Sequence, residues 1–228
     1  MSGIAANFAQ VRERIASACA AAGREVADVE LLAVSKFHPS DAVREALAVG
    51  QIAFGESRVQ ELVVKAAELQ GESAVQWHLI GSLQTNKVRD LVRIPSLALV
   101  HSVDRHKLAN ALHREFAAND RQLDVLLQVN ATDEDQKHGC LPGDVRALLE
   151  HVQMQCPSLT VRGLMAMGPL HGDARPVFDS VAALRDDLRD ASGLALDTLS
   201  LGMSGDLEQA IAAGSTMVRV GTALFGAR

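Results

Sequence analysis

The stretch LLAVSKFHPSDAVREALAVGQIAFGES (31–57) contains one full structural period and the start of the next. LLAVSK (31–36) is a short apolar run with the length of a buried strand. SDAVREALAVG (40–50) follows with helical spacing, Ser40 as candidate N-cap and Gly50 as the stop. IAFGES (52–57) then opens a second strand, and beyond it Ser57 and Gln60 have capping-box spacing for a second helix.

The same unit recurs along the chain. WHLIG (77–81), LALVHSV (97–103), DVLLQVN (124–130), TVRGLMAM (160–167), TLSLGM (198–203) and MVRVG (217–221) each read as a strand. Helical patterns follow them, with Leu108, Leu112 and Phe116 on one stripe and Val177, Val181, Leu184 and Leu188 on another. An extra amphipathic helix, marked by Ile4, Phe8, Val11 and Ile15, precedes the first strand. About eight strand-plus-helix units, the last helix barely present, predict an α/β fold: a closed (β/α)8 barrel of the TIM type over residues 1–228, as one domain. An open doubly wound sheet is the runner-up, weakened because no GxGxxG follows the first strand.

Bulk properties exclude several classes. The chain has 228 residues and a formal net charge of −6, with no basic stripe of the kind a nucleic acid needs. Its apolar runs fall short of the roughly 20 residues of a membrane span. No signal-peptide pattern opens it. Cys19, Cys140 and Cys156 have neither disulfide nor metal-ligand spacing, and the eight histidines form no HExxH or HxH cluster. A cytoplasmic protein without a metal is expected.

Lys36 closes the first strand, at the barrel end where active sites lie. Apolar surroundings disfavour an ammonium there, and a neutral amine condenses with aldehydes. Snorkelling to solvent, or pairing with a carboxylate such as Glu56, is the competing reading. LGMSGD (201–206) and VRVGTA (218–223) fall at the loops after strands seven and eight, the usual phosphate site of this fold. Ser204 is placed to cap its helix, Gly202 and Gly205 let N–H groups approach a ligand, and Gly221 and Thr222 add a further N–H and a hydroxyl. An aldehyde-reactive lysine opposite a phosphate cradle is what pyridoxal 5'-phosphate requires. Arg219 lies two residues before Gly221, so alternation puts it on the barrel's inner face. It needs an acceptor there: a pyridine nitrogen, a phosphate, or a structural carboxylate. An arginine on the ring nitrogen leaves that nitrogen unprotonated and the ring a weaker electron sink.

On AVSK around Lys36, FGE (54–56), VQE (59–61), WHLIGSLQTNK (77–87), HSVD (101–104), GLM (163–165), GMSGDLEQAI (202–211) and STMVRVGTALFG (215–226), the chain resembles the pyridoxal-phosphate homeostasis proteins of the YggS/PROSC family. These share the barrel of alanine racemase's N-terminal domain, and the resemblance runs from the first helix to about Phe225. It implies that Lys36 carries the cofactor as a Schiff base, that Ser204, Gly221 and Thr222 hold the phosphate, and that Arg219 faces the pyridine ring. The family usually reads FGENYVQE; Ser57 and Arg58 replace the asparagine and tyrosine here, so a cofactor contact from Ser57 is not carried over. His78 reads equally as a core histidine or a site residue.

Related racemases use a lysine and a tyrosine as two bases, the tyrosine coming from a further domain. This chain has no tyrosine and stops after its eighth unit. It therefore reads as a monomeric carrier in cofactor homeostasis, with no catalytic residue assigned, able to pass pyridoxal phosphate to apo-enzymes. The alternatives are a pyridoxal-phosphate enzyme with weak racemase-like activity, using water or His78 as second base, and a Schiff-base aldolase acting on a sugar phosphate.

Overall fold

A computed structural model of the chain describes residues 3–132 and 138–226. Among these, eight parallel strands run in sequence order around a closed barrel. They are β1 (Glu30–Val34), β2 (Ala53–Glu56), β3 (Gln76–Leu79), β4 (Leu97–Val103), β5 (Leu123–Val129), β6 (Leu159–Ala166), β7 (Thr198–Ser200) and β8 (Met217–Val220). The last strand closes on the first, with Leu32 opposite Arg219 and Ala33 opposite Val220. An open sheet would leave two strands with unpaired edges; here β1 and β8 satisfy each other.

Helix α1 (Gly3–Ala21) precedes the barrel; α2 (Ser40–Ala48), α3 (Val59–Glu68), α4 (Val88–Leu91), α5 (His106–Ala117), α6 (Val145–Gln155), α7 (Arg175–Ser192), α8 (Leu207–Ala212) and α9 (Thr222–Phe225) follow the strands in turn. Because α9 has only four residues, α1 takes the flank that a full eighth helix would cover, packing against α8, α9 and α2. Its Phe8, Val11 and Ile15 are buried, and Phe8 meets Phe225 edge-on at 5.9 Å. Among the described residues no helix is long and apolar enough to cross a membrane, and the three cysteines are free thiols.

Strand alternation sorts side chains between two cores. Leu32, Ala53, Leu99, Leu126, Met165 and Met217 fill the barrel interior. Ala33, Phe54, Trp77, Val100, Val125, Leu164 and Val218 point outward into the larger core under the helices. Two expected caps differ. Ser40 is the first residue of α2 and donates to Glu68 Oε2 at 2.5 Å, while Pro39 holds the cap position. Arg58, not Ser57, precedes α3, and it makes no side-chain cap bond. α2 begins one residue earlier than a Ser40 cap implies and α3 one residue later than a Ser57 cap implies, so in both places the serine is out of the cap position. Gly50 does terminate α2, with φ +82.

One glycine sits at a register shift in the barrel wall. The β5–β6 register shifts between Val125 and Leu126, where Gly163 pairs with Leu126 at φ +152. A Cβ at Gly163 would stand 1.8 Å from the Thr198 carbonyl oxygen of β7. Gly163→Ala is expected to destabilise the fold by about 2 kcal/mol from the backbone strain alone. A urea melt of the variant with an unchanged midpoint would contradict this.

Candidate functional site

A cavity of about 290 Å³ opens at the C-terminal end of the barrel, lined by Val34, Lys36, Ile80, Met203, Ser204, Gly205, Arg219, Gly221 and Thr222 among others. Its size suits one small ligand. A wider groove of about 690 Å³ lies outside the barrel between α1 and α8, and it holds the Arg14–Glu208 ion pair rather than converging reactive groups.

Lys36 reaches this cavity because its neighbour is anchored on the other side of the wall. β1 stops at Val34, two residues earlier than expected for a strand closed by the lysine, and Lys36 stands in the following turn. Ser35 points outward, donating from Oγ to Glu56 Oε1 at 2.7 Å. Lys65 Nζ donates to the same carboxylate oxygen at 2.5 Å and to the Ser35 carbonyl at 2.7 Å. Glu56 is fully buried, which raises its pKa, while Lys65 and Ser35 pull it down. The pairing of Lys36 with Glu56 is thereby ruled out: Lys65 holds that carboxylate, behind the strand. Among the described residues nothing pairs with the Lys36 ammonium. Phe37, which lines the cavity with His38, then takes the left-handed conformation, φ 68, with the Arg58 guanidinium 5.4 Å from its ring.

Across the cavity, Ser204 and Gly205 occupy the turn between β7 and α8. Ser204 does not cap α8: the helix starts at Leu207, and Asp206 Oδ1 accepts the Met203 N–H at 2.6 Å. With six residues in α8 and four in α9, helix dipoles contribute little, and anion binding falls to local N–H groups. Those of Ser204 and Gly205 have no carbonyl partner among the described residues. Thr222 opens α9, so its N–H has no intrahelical acceptor. Gly202, at φ +87, makes the tight approach possible, since a Cβ there would lie 2.5 Å from that of Ala210. From behind, Arg14 Nη2 steadies the loop by donating to the Ser204 carbonyl at 3.1 Å while paired with Glu208 at 2.8 Å.

Arg219 points inward as alternation requires and is 5 % exposed. Its Nη1 donates to the Ser200 carbonyl at 2.6 Å and to Ser200 Oγ at 2.7 Å, and its Nη2 donates to the Ala166 carbonyl at 2.8 Å. All three acceptors are neutral, so the structural ion pair considered from sequence is absent among the described residues. Burial lowers the Arg219 pKa to about 10, with the Asp206 charge opposing. A guanidinium has five N–H groups, so donors remain for the cavity. His78 sits on the same inner face as Ile80 but one layer deeper, and burial lowers its pKa to about 4. Ser57 does not line the cavity; its carbonyl packs where a side chain at Gly81 would stand.

The mouth therefore brings together Lys36, Ser204, Arg219, Gly221 and Thr222, and leaves out Ser57. An amine without a carboxylate partner, a buried cation with donors to spare and uncommitted loop amides fit an aldehyde bearing a phosphate and a basic ring nitrogen. Sequence reading missed Arg14, Ser200 and His101. His101 heads the HSVD motif, whereas nothing local to Arg14 or Ser200 marks either. Among the described residues no group of three or more His, Cys, Asp or Glu side chains is gathered as a metal site.

Residues 4–228 match the family model described as alanine racemase, N-terminal domain. A pyridoxal phosphate homeostasis protein of Pseudomonas aeruginosa is 49% identical over 228 residues, covering 100% of this chain and 97% of that one. The protein of the same name from Escherichia coli K12 is 41% identical, with 100% and 98% covered. The structure of PipY from Synechococcus elongatus, solved with PLP bound, superposes with a TM-score of 0.86 at 38% identity, covering 98% of this chain and 100% of that one. Alanine racemase of Clostridium difficile shares the fold at a TM-score of 0.70 and 13% identity, with 95% of this chain but 56% of that one covered.

Proposed function

The chain belongs to the alanine racemase N-terminal-domain family and, within it, to the pyridoxal phosphate homeostasis proteins, and from that membership we propose that it holds pyridoxal 5'-phosphate as a Schiff base on Lys36. The carrying observation is the arrangement of the mouth: an amine freed from Glu56 by Lys65 faces uncommitted amides across a cavity of about 290 Å³. When bound, the cofactor supplies an aldehyde carbon and a ring that draws electrons from it. Lys36 anchors it, Ser204, Gly221 and Thr222 receive the phosphate, and Arg219 donates to the pyridine nitrogen. The solved relative with PLP bound, covering nearly the whole chain, supports this reading.

The role is that of a carrier: residues 1–228 act as one cofactor-binding domain, a monomer in the cytoplasm, limiting free aldehyde and passing cofactor to apo-enzymes. Relatives covered almost end to end carry the name of homeostasis proteins, which supports a carrier over a racemase. Arg219 supports it chemically, because a ring nitrogen kept unprotonated weakens carbanion stabilisation.

The test is direct. Purified protein mixed with cofactor should show a visible Schiff-base band, and borohydride reduction should place a pyridoxyl group on Lys36 in a peptide digest. A reduced digest with the group elsewhere or nowhere would overturn the assignment, and a sugar-phosphate adduct would point to an aldolase. Solvent-deuterium exchange into amino acids above that of free cofactor would refute the carrier role.

A further inference from the structure

We propose that Arg219, Ser200, His101 and His78 form a one-way hydrogen-bond relay across the barrel, making His101 and His78 positioning residues for Arg219 and leaving His78 no base to offer the cavity. What Arg219 faces rests on the cofactor reading above; the relay does not.

The four side chains come from β8, β7, β4 and β3 and meet between the apolar interior layer and the mouth. Arg219 Nη1 lies 2.7 Å from Ser200 Oγ, Ser200 Oγ lies 3.2 Å from His101 Nδ1, and His101 Nε2 lies 3.0 Å from His78 Nδ1. All four residues are at most 5 % exposed. Direction follows from the first member. Arginine only donates, so Ser200 Oγ accepts from it and directs its own proton to its one other side-chain partner among the described residues, His101 Nδ1. His101 then carries its proton on Nε2 and donates to His78 Nδ1. His78 in turn carries its proton on Nε2, the nitrogen without an acceptor among the described residues.

Two consequences follow. First, neither histidine is a cation: burial pushes both toward the neutral form, and the Arg219 charge reinforces this at His101. Each ring is left with one donor and one acceptor, and the reverse setting, with His101 Nδ1 donating to Ser200 Oγ, is disfavoured because it leaves the buried Ser200 O–H without an acceptor among the described residues. Second, the relay moves no proton toward the cavity, since its origin is a guanidinium that does not release one. Its work is to hold Ser200 Oγ as an acceptor, which fixes the Arg219 plane and leaves the remaining N–H groups toward the mouth. The last ring of the relay carries an N–H rather than a lone pair on its unshared nitrogen, so abstraction of a substrate proton by His78 is closed off.

Ring-nitrogen NMR on ¹⁵N-histidine-labelled protein without cofactor, near neutral pH, tests the direction. Both His78 and His101 should be neutral and protonated on Nε2. A proton on Nδ1 of either ring, or a doubly protonated ring, would overturn the relay. His101→Leu should still take pyridoxal phosphate on Lys36, with a dissociation constant raised about two- to tenfold and a displaced visible band. His101→Gln, which keeps one donor and one acceptor, should recover both properties. Binding and spectrum of His101→Leu identical to wild type would refute the positioning role. If His101→Leu does not fold, the wild-type tautomers and the His101→Gln spectrum decide. A wild type that takes no cofactor would sink the reading of the mouth while leaving the tautomers measurable, so the two failures are separable.

Discussion

Lys36→Ala is expected to leave the barrel folded and to abolish the pyridoxyl adduct that borohydride traps in the wild type. The side chain stands beyond β1, half-buried at the mouth, and nothing described is paired to its ammonium, so its removal costs little packing and strands no partner. The loop amides and Arg219 remain, and they should retain weak, non-covalent affinity for the phosphate and ring. Thermal shift makes this quantitative. Cofactor at a hundredfold excess over its dissociation constant stabilises the wild type by about 2.7 kcal/mol, or roughly 5–10 °C for a chain of this size. At the same concentration Lys36→Ala should show no visible band and a much smaller shift. A full thermal shift with an intact band in the variant would place the linkage on another amine.

Acid should unfold this protein earlier than its carboxylates require. His78 has a folded pKa of about 4 because it is buried without an anionic partner, whereas in the unfolded chain it titrates near 6.5. The unfolded state therefore takes up a proton that the folded state refuses. The stability contribution is complete above pH 6.5, falls as pH drops from 6.5 to about 4, and is then exhausted, a loss of about 3 kcal/mol from this ring alone. His101 adds to the loss in the same direction, its pKa also depressed by burial and by the His78 and Arg219 charges. Glu56 works oppositely, since a pKa raised by burial means that protonation just above its normal value favours the folded state. Urea midpoints measured from pH 7.5 to 4 should fall steeply, and His78→Gln should flatten that limb. Equal slopes in variant and wild type would show that His78 is charged or exposed in the folded protein.

Local pattern carried the architecture a long way. Repeated short apolar runs separated by amphipathic stripes are enough to imply eight parallel strands, because each strand needs cover on both faces and each helix supplies one apolar stripe. The inward aim of Arg219 followed from period two, and Lys36 from its place at the end of β1. The capping of α2, α3 and α8 did not follow, because serine in a turn has several uses and a shift of one residue changes which amide it reaches.

What the chain determined by itself is the order of strands and which residues alternate inward, since both depend only on neighbours along the backbone. The tertiary structure alone decided that Glu56 belongs to Lys65, and that Ser200 bridges Arg219 to a histidine 99 residues away. Those contacts exist only once β8 has closed on β1, when polar groups buried from solvent must find their partners on other strands.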